Sequence, residues 1–169
     1  NVLGVIWDGT GLGDDGNIWG GEFFSFNDGV IKREAHLPYQ KHILGDKMVN
    51  EPRIAALSFF NTIKDAKELL KKKFSQLEWD TYSKLYSKST LNTSSIGRLF
   101  DAVASILDLN NKSTFHGQAA MLLEALAQRD VDKFSSKPYT IKNKKNEFDL
   151  SILLAEVIID LKNGREKNS

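Results

Sequence analysis

The residues most able to do chemistry lie in one glycine-rich stretch near the start of the chain, WDGTGLGDDGNIWGGE, at 7–22. Six of its sixteen residues are glycine and three are aspartate. Glycines let successive backbone N–H groups approach an anion without a Cβ in the way. Thr10 can add a hydroxyl donor, but Asp8 beside a phosphate is unfavourable unless a metal ion or a sugar hydroxyl lies between them. Because Asp-Gly is a common turn pair, the stretch alone favours a plain hairpin, with an anion-binding loop as the alternative.

A second candidate is the carboxylate of Asp101. At 100° per residue, the apolar side chains of the predicted helix around it share one face, and Asp101 falls nearly opposite. Arg98 precedes it by three residues on the same side, which by itself favours an exposed ion pair worth about 0.3 kcal/mol. The alternative is a carboxylate in a cleft that accepts two hydrogen bonds from the vicinal diol of a ribose.

Other polar residues have weaker signals. His116 is more typical of a capping or surface histidine than of a catalyst, and Glu22 either orients the glycine-rich stretch or is an ordinary strand residue. Arg53 is expected at the surface, with an anion contact as the alternative. His36 and His42 are poorly spaced for a metal site, and the chain has no cysteine to assist them.

Composition limits the classes of protein that fit. The chain has 169 residues, of which 41% are hydrophobic and 27% charged, as expected for one domain or a large piece of one. A net charge of +1 does not indicate nucleic acid or a membrane surface as a partner. Without cysteine there is no disulfide framework and no thiolate zinc site. No apolar run approaches the ~20 residues of a membrane span, and we expect no secretory signal. The chain starts with Asn and enters a strand at once, so we expect a segment of a longer protein.

The pattern along the chain predicts strands first and helices afterwards. Three strands at 2–7, 18–26 and 30–37 should form an antiparallel meander because their connections are short. Helices are expected from 53 to the basic triplet at 71–73, at 77–85 without strong capping, and at 96–109, 117–127 and 150–161. A short strand at 138–141, a solvated loop at 142–146 and a helix stop at Gly164 complete the prediction, and Met121, Leu122 and Leu126 are expected in the core. This α+β order is that of the front of a ribonuclease-H-like or actin-like fold.

Four segments occur in an order that resembles one family. They are VLGVIWDGTGLGDDGNIWGGEF, EPRIAAL, SSIGRLFDAVASIL and HGQAAMLLEALA. Together they closely resemble the C-terminal, actin-like domain of the HypF carbamoyltransferases, over about residues 2–161. That domain is similar to the enzymes that place threonylcarbamoyl on tRNA and to antibiotic O-carbamoyltransferases. The resemblance implies that residues 1–169 are a single segment of a larger, two-lobed domain.

The resemblance also implies an activity. Members of the family use carbamoyl phosphate and ATP, and their upstream domains make carbamoyl-adenylate. The actin-like domain transfers the carbamoyl group to the C-terminal cysteine of a partner, HypE, on the way to the cyanide ligand of nickel–iron hydrogenases. A cytoplasmic enzyme that acts on neither nucleic acid nor a membrane is therefore expected, and this segment alone should not complete the reaction.

The resemblance also implies which residues of this chain contact the ligand. The resemblance places Asp8, Gly9, Thr10 and Gly11 against the adenylate phosphate and the carbamoyl group. It places Asp101 at the ribose and Gly117 at the nucleoside, with Arg98, His116 and Glu22 as further candidates for the same site. It assigns no catalytic residue here, and it places the ligands of a divalent metal ion outside this segment.

Besides an O-carbamoyltransferase, two other functions remain open from the sequence. An actin-like ATPase or sugar kinase would use the same glycine-rich stretch to hold the β- and γ-phosphates, with an aspartate as general base. Alternatively, the segment is mainly a docking surface for the partner's tail, formed by the predicted helix at 53–72 and its basic end.

Overall fold

The computed structural model describes residues 2–129 and 141–163, with the backbone alone for residues 143 and 144. Its strands are β1 (Val2–Leu12), β2 (Ile18–Asn27), β3 (Val30–His36), β4 (Gln40–Lys41), β5 (Asn92–Thr93), β6 (Lys142–Lys144) and β7 (Glu147–Asp149). Its helices are α1 (Asp46–Asn50), α2 (Pro52–Phe60), α3 (Ala66–Lys71), α4 (Gln76–Lys88), α5 (Ile96–Ile106), α6 (Gln118–Gln128) and α7 (Ser151–Lys162). The predicted α+β class is confirmed, although β5, β6 and β7 lie among the helices in chain order.

The predicted meander is confirmed as the main part of the sheet. β1 pairs antiparallel with β2, and β2 pairs antiparallel with β3. The short strands extend this sheet in the order β4-β5-β2-β3-β7-β6, with β1 on β2 outside that path. β5 reaches β2 through the pair Ile18 and Thr93, which brings the start of α5 beside the hairpin of β1 and β2.

The glycine-rich stretch is not a simple turn, and the prediction that its first strand ends at residue 7 was wrong. β1 continues to Leu12, but the pairing shifts register between Trp7, which faces Gly21, and Gly11, which faces Trp19. Residues 8–10 therefore oppose the single residue Gly20, an arrangement that bends a strand locally. We call residues 8–10 the β1 bulge. The actual hairpin turn lies at 13–17, where the Gly13 N–H donates to the Asn17 carbonyl oxygen at 3.0 Å.

Two further predictions about elements were wrong. The helix expected from residue 53 to the basic triplet is broken into α2 and α3, with Asp65 in the left-handed region at φ 68°. The loop expected at 142–146 is instead the hairpin of β6 and β7, in which Lys145 and Asn146 have φ values of 49° and 67°. Such positive φ values suit a tight hairpin turn. Two other predictions fall outside the described residues: most of the short strand at 138–141, and the helix stop at Gly164.

The core is built mainly by helices. α2 packs against α5, and buried apolar side chains of both helices belong to one core cluster with side chains of α4 and α7. Eight of the nine residues of α2 are buried, so the exposed side chains of the docking surface predicted at 53–72 lie mainly after α2, at 61–72. That alternative stays a prediction. α4 does begin with a strong cap, because Ser75 and Glu78 form a reciprocal capping box.

The apolar residues of α6 and β1 are less buried than their composition suggests. Met121 and Leu122 are 58% and 36% exposed, so their assignment to the core was wrong, and Leu126 is only half-buried. Only one face of α6 packs on α5. Because the helix is rich in alanine and leucine all round, its sequence does not indicate which face is buried. Six apolar residues of β1 are also at least half exposed: Val2, Leu3, Val5, Ile6, Trp7 and Leu12.

Candidate functional site

The β1 bulge lies directly on the first turn of α5. Ser95 caps this helix: its Oγ accepts a hydrogen bond from the Arg98 N–H at 3.2 Å and donates one to the Asp8 carbonyl oxygen at 2.9 Å. A Cβ added at Gly97 would lie 3.1 Å from the Cα of Gly9. The bulge and the helix therefore meet backbone to backbone, and a side chain at Gly97 would fit only if the bulge moved by a few tenths of an ångström.

The bulge presents polar groups beside a helix N-terminus. Asp8 and Thr10 are exposed, and Gly9 and Gly11 are half-buried. The Asp8 Oδ1 accepts a hydrogen bond from the Gly9 N–H at 2.6 Å. Free N–H groups and the dipole at the start of an α-helix favour an anion there. The combination is therefore suited to a phosphate or to another anionic group.

Arg98 and Asp101 form a buried pair rather than an exposed one. Their Nη2 and Oδ2 atoms are 2.9 Å apart, and their side chains are only 6% and 9% exposed. The prediction of an exposed surface pair was therefore wrong. The pair is buried because the loop at 113–117 and the end of α1 lie over this side of α5. The pattern of the helix alone does not show this cover.

A cavity of about 110 Å³ lies against this pair. Its lining residues come from α1, α5 and the segment before α6: Val49, Asn50, Arg98, Asp101, Ser113, Thr114, Phe115, His116 and Gly117. The fold thus brings Asp101, Arg98, His116 and Gly117 together, although 15 positions separate Asp101 from His116 in the chain. Gly117 adopts φ 78° as the residue that precedes α6, a conformation that favours glycine.

The electrostatics of this cavity are unusual. Burial raises the pKa of Asp101 to about 6, and the positive charges of Arg98 and His116 oppose this rise only in part. Burial also lowers the pKa of Arg98, against the effect of Asp101. Within the described chain, the Arg98 Nε and Nη1 atoms and the Asp101 Oδ2 atom have no hydrogen-bond partner. The contact of 2.9 Å is therefore an ion pair without hydrogen-bond geometry.

The bulge and the cavity are neighbours. A Cβ added at Gly9 would lie 3.9 Å from the Arg98 Nη2 atom, so one guanidinium reaches from the bulge to Asp101. The two groups of residues singled out in the sequence are thus parts of one continuous region. Its polar groups could accept hydrogen bonds from a diol at one end and donate them to an anion at the other.

Glu22 lies on β2, next to the residues Gly20 and Gly21 that face the bulge and its edge. Its side chain is 2% exposed, and its carboxylate accepts hydrogen bonds from the Gly20 and Gly21 N–H groups at 3.0 and 3.1 Å, from Ser94 Oγ, and from Arg33 Nε at 2.6 Å. Burial alone would raise its pKa, but the bonds from Ser94, Gly20, Gly21 and Arg33 lower it below the usual range. With no accessible oxygen, Glu22 is suited to orienting the strand opposite the bulge rather than to contacting a ligand.

Sequence reasoning missed several residues that shape this region. Arg33, Gly20 and Gly97 were not singled out, and neither were Ser94 and Ser95. The pair Gly20-Gly21 directly before an acidic residue was a usable signal, because a carboxylate can accept bonds from neighbouring N–H groups. Arg33 gave none, since its partner Glu22 is found only through the pairing of β2 with β3.

The three remaining candidates from the sequence, Arg53, His36 and His42, do not together form a ligand site within the described part of the chain. Arg53 has structural partners, and the two histidines have no neighbours among the described residues that are suited to a metal. Arg53 donates to Glu51 and Glu78 at 2.6 Å each and so joins the start of α2 to that of α4. His36 Nδ1 lies 2.7 Å from the Leu37 carbonyl oxygen, and burial lowers the pKa of His42. In residues 2–129 and 141–163, no group of three or more His, Asp or Glu side chains could hold a metal ion.

The sequence matches one family model. The family is described as the carbamoyltransferase Kae1-like domain, second subdomain, and the match covers residues 4–169. A carbamoyltransferase HypF from Synechocystis sp. is 39% identical over 168 residues, which cover 87% of this chain and 22% of that protein. A probable carbamoyltransferase HypF from Methanocaldococcus jannaschii is 31% identical over 165 residues, which cover 92% of this chain and 21% of that protein. The chain therefore spans about a fifth of the length of these relatives.

Two solved structures are similar to nearly the whole of this chain. A full-length HypF in its phosphate- and nucleotide-bound form superposes with a TM-score of 0.83 at 31% identity, over 99% of this chain and 22% of that one. The HypF of T. kodakarensis superposes with a TM-score of 0.78 at 23% identity, which supports the fold. Separately, no helix in the described part of the chain is both long and apolar enough to cross a membrane.

Proposed function

The chain belongs to the HypF carbamoyltransferase family, and from this premise we propose that it forms part of the carbamoyl-transfer site of a hydrogenase maturation enzyme. In the complete protein, this segment would hold carbamoyl-adenylate, made from carbamoyl phosphate and ATP, while the carbamoyl group passes to the C-terminal cysteine of a HypE-like partner. The product would serve the synthesis of the cyanide ligand of a nickel–iron hydrogenase. The enzyme would act in the cytoplasm.

The observation that carries this proposal is the contact between the β1 bulge and the first turn of α5, next to the cavity of Arg98 and Asp101. We assign the phosphate and carbamoyl end of the ligand to Asp8, Gly9, Thr10 and Gly11, because the helix N-terminus favours negative charge there. We assign the ribose to Asp101, whose two carboxylate oxygens can each accept one hydroxyl hydrogen bond. One relative's structure, described as phosphate- and nucleotide-bound, is consistent with a nucleotide as the ligand.

His116 and Gly117 would lie at the nucleoside, since they line the same cavity as Asp101. A volume of about 110 Å³ fits one ribose-sized group rather than a whole nucleotide. The base would therefore extend toward parts of the complete protein outside the cavity. A divalent metal ion in the complete domain would need ligands beyond the described residues, which supply no cluster for one. No catalytic residue is assigned within this segment.

The proposal is tested in the complete protein by separating the two half-reactions. Asp8→Ala removes the exposed carboxylate of the bulge. Gly11→Val adds a side chain whose Cβ would lie 2.9 Å from the Trp19 carbonyl oxygen and so displaces the bulge. We expect both variants to lose at least about tenfold in thiocarbamate formation on the partner's cysteine, the effect of about 1.4 kcal/mol in the transfer step. Carbamoyl phosphate turnover that reports carbamoyl-adenylate formation should stay near the parent's rate.

Asp14→Ala is the matched control, because it removes another exposed carboxylate from the same hairpin. Normal thiocarbamate formation in both bulge variants would contradict the assignment of the bulge. ATP hydrolysis by the parent protein without carbamoyl phosphate, at a rate similar to that of carbamoyl transfer, would instead indicate an actin-like ATPase or phosphotransferase.

A further inference from the structure

Arg98 is a buried cation whose bonding is incomplete. Its side chain is 6% exposed and makes one ion pair, with Asp101. Among the described residues, neither its Nε nor its Nη1 atom has an acceptor. A buried donor without a partner costs stability, and the cost is larger for a charged group. Its incomplete bonding indicates that something other than the described residues completes it.

The position of Arg98 limits what that group can be. The guanidinium stands between the β1 bulge, through the 3.9 Å approach to a Cβ at Gly9, and Asp101 on the wall of the cavity. Guanidinium offers only donors, so its missing partner is an acceptor, and a negatively charged one is favoured because the donor is a cation. Asp101 offers only acceptors when ionised, and its Oδ2 atom also lacks a hydrogen bond.

One ligand chemistry satisfies both groups at once. A nucleoside 5′-monophosphate or its acyl derivative carries a vicinal diol, which donates, and a phosphate, which accepts. We propose that Arg98 contacts the 5′-phosphate of such a nucleotide while Asp101 binds its ribose diol, so that Arg98 makes the site prefer an adenylate to the nucleoside alone. This inference rests on the proposed function, and it adds to that function a residue that selects the phosphorylated form of the ligand.

The test uses hydrogen exchange of the complete protein, read at the peptides that cover residues 94–107. These peptides report occupancy of this site even if the protein binds nucleotide elsewhere. AMP, adenosine and inorganic phosphate are titrated separately, and the concentration that gives half of the maximal protection is compared. In the parent, we expect AMP to protect these peptides at a concentration at least about tenfold lower than adenosine, since hydrogen bonds to charged groups are the stronger ones.

Arg98→Gln should remove most of this preference. We expect its AMP midpoint to rise about tenfold or more, and its adenosine midpoint to move less than about twofold. Arg98→Lys keeps the charge but loses the planar fork of donors, so its AMP midpoint should lie between those of the parent and Arg98→Gln. If Arg98→Gln does not fold, Arg98→Lys and the comparison of AMP with adenosine in the parent still decide the question.

Each other outcome overturns the inference in a recognisable way. Equal midpoints for AMP and adenosine in the parent would show that the phosphate gains nothing at this site. Equal rises for both ligands in Arg98→Gln and Arg98→Lys would show that Arg98 only supports the helix. Protection by inorganic phosphate at the AMP midpoint, without any by adenosine, would show a simple anion site. If neither AMP nor adenosine protects these peptides in the parent, the proposed nucleotide site itself fails, and the inference fails with it.

Discussion

Asp101 is a carboxylate in surroundings that favour its neutral form. Burial raises its pKa to about 6 from an ordinary value of 3.8, and a neutral carboxyl group is a poorer acceptor for a ribose diol than a carboxylate is. The raised pKa has the opposite effect on folding stability. Because the folded-state pKa is raised, the stability that this group contributes is fully present below pH 3.8 and is lost as the pH rises through about 6. Ligand binding and stability should therefore respond to pH in opposite directions.

This behaviour predicts a pH-dependent affinity for the nucleoside. Lowering the pH from about 7.5 to about 5 should protonate Asp101 and weaken adenosine binding roughly tenfold, since about a tenth of a group with a pKa near 6 stays ionised at pH 5. The measurement is the adenosine midpoint for protection of the peptides at 94–107 in the complete protein, at several pH values. Asp101→Asn should bind more weakly than the parent at pH 7.5 and show little change with pH. A parent affinity that does not vary over this range would contradict the role given to Asp101.

His116 needs its own control, because it faces the same cavity. His116→Gln removes the imidazole ring while Asp101 is kept, so the pH dependence should persist in this variant. If it disappears there and persists in Asp101→Asn, the histidine is the group that controls binding.

At the level of single residues, the sequence grouped the polar residues that line one cavity, but it did not identify their surroundings. It singled out Asp101, Arg98, His116 and Gly117, and the fold places them on one cavity. It also predicted an exposed pair of Arg98 and Asp101, which are buried. Helical periodicity describes one helix, and the cover on this side comes from residues 113–117 and the end of α1. No local pattern reports that contact.

At the level of elements, the contact between the β1 bulge and α5 determines the shape of the site. Gly20 faces the bulge across the hairpin, and a Cβ there would lie 3.0 Å from the Ser95 Cα and closer still to the Asp8 carbonyl oxygen. Real Cβ atoms do not approach backbone this closely, so the bulge or the helix must move. The hydrogen bond between Ser95 Oγ and the Asp8 carbonyl oxygen would be lost with it.

Gly20→Ala should therefore disrupt the site while leaving most of the sheet intact. We expect carbamoyl transfer in the complete protein to fall by at least about a hundredfold, because misplacement of about 1 Å has effects of that size. Gly4→Ala is the matched control in β1, since its Cβ would meet only the Phe24 carbonyl oxygen at 3.9 Å, an ordinary contact. Transfer rates and melting temperatures are measured for both variants. Equal transfer rates in the two would contradict the idea that the fit of the bulge on α5 matters.

The sequence predicted the strands of the meander and the start of α5 because their signals are local. Alternating and β-branched residues specify strands, and Ser95 caps α5 as an N-cap residue should. The bulge could not be predicted in this way. Whether residues 8–10 form a turn or a bulge depends on their register against β2, which is a property of two strands together. The same applies to α6, whose exposed Met121 and Leu122 reflect what packs beside the helix.

At the level of the whole molecule, the described segment would provide one wall of the proposed site rather than a closed pocket. It spans about a fifth of its relatives' length, and the cavity beside Asp101 holds only one ribose-sized group. Other parts of a complete protein would have to contact the base and exclude water. This is why each test above uses the complete protein.

We propose that the β1 bulge, Arg98 and Asp101 bind one nucleotide together. The most direct measurement is a crystal structure of the complete protein with AMP or a stable analogue of carbamoyl-adenylate. We predict the ribose hydroxyls at about 3 Å from the Asp101 carboxylate, and the phosphate at a similar distance from Arg98 and from N–H groups of residues 8–11. Nucleotide bound only elsewhere in the protein, with Arg98 still paired to Asp101 and nothing on the bulge, would contradict the claim.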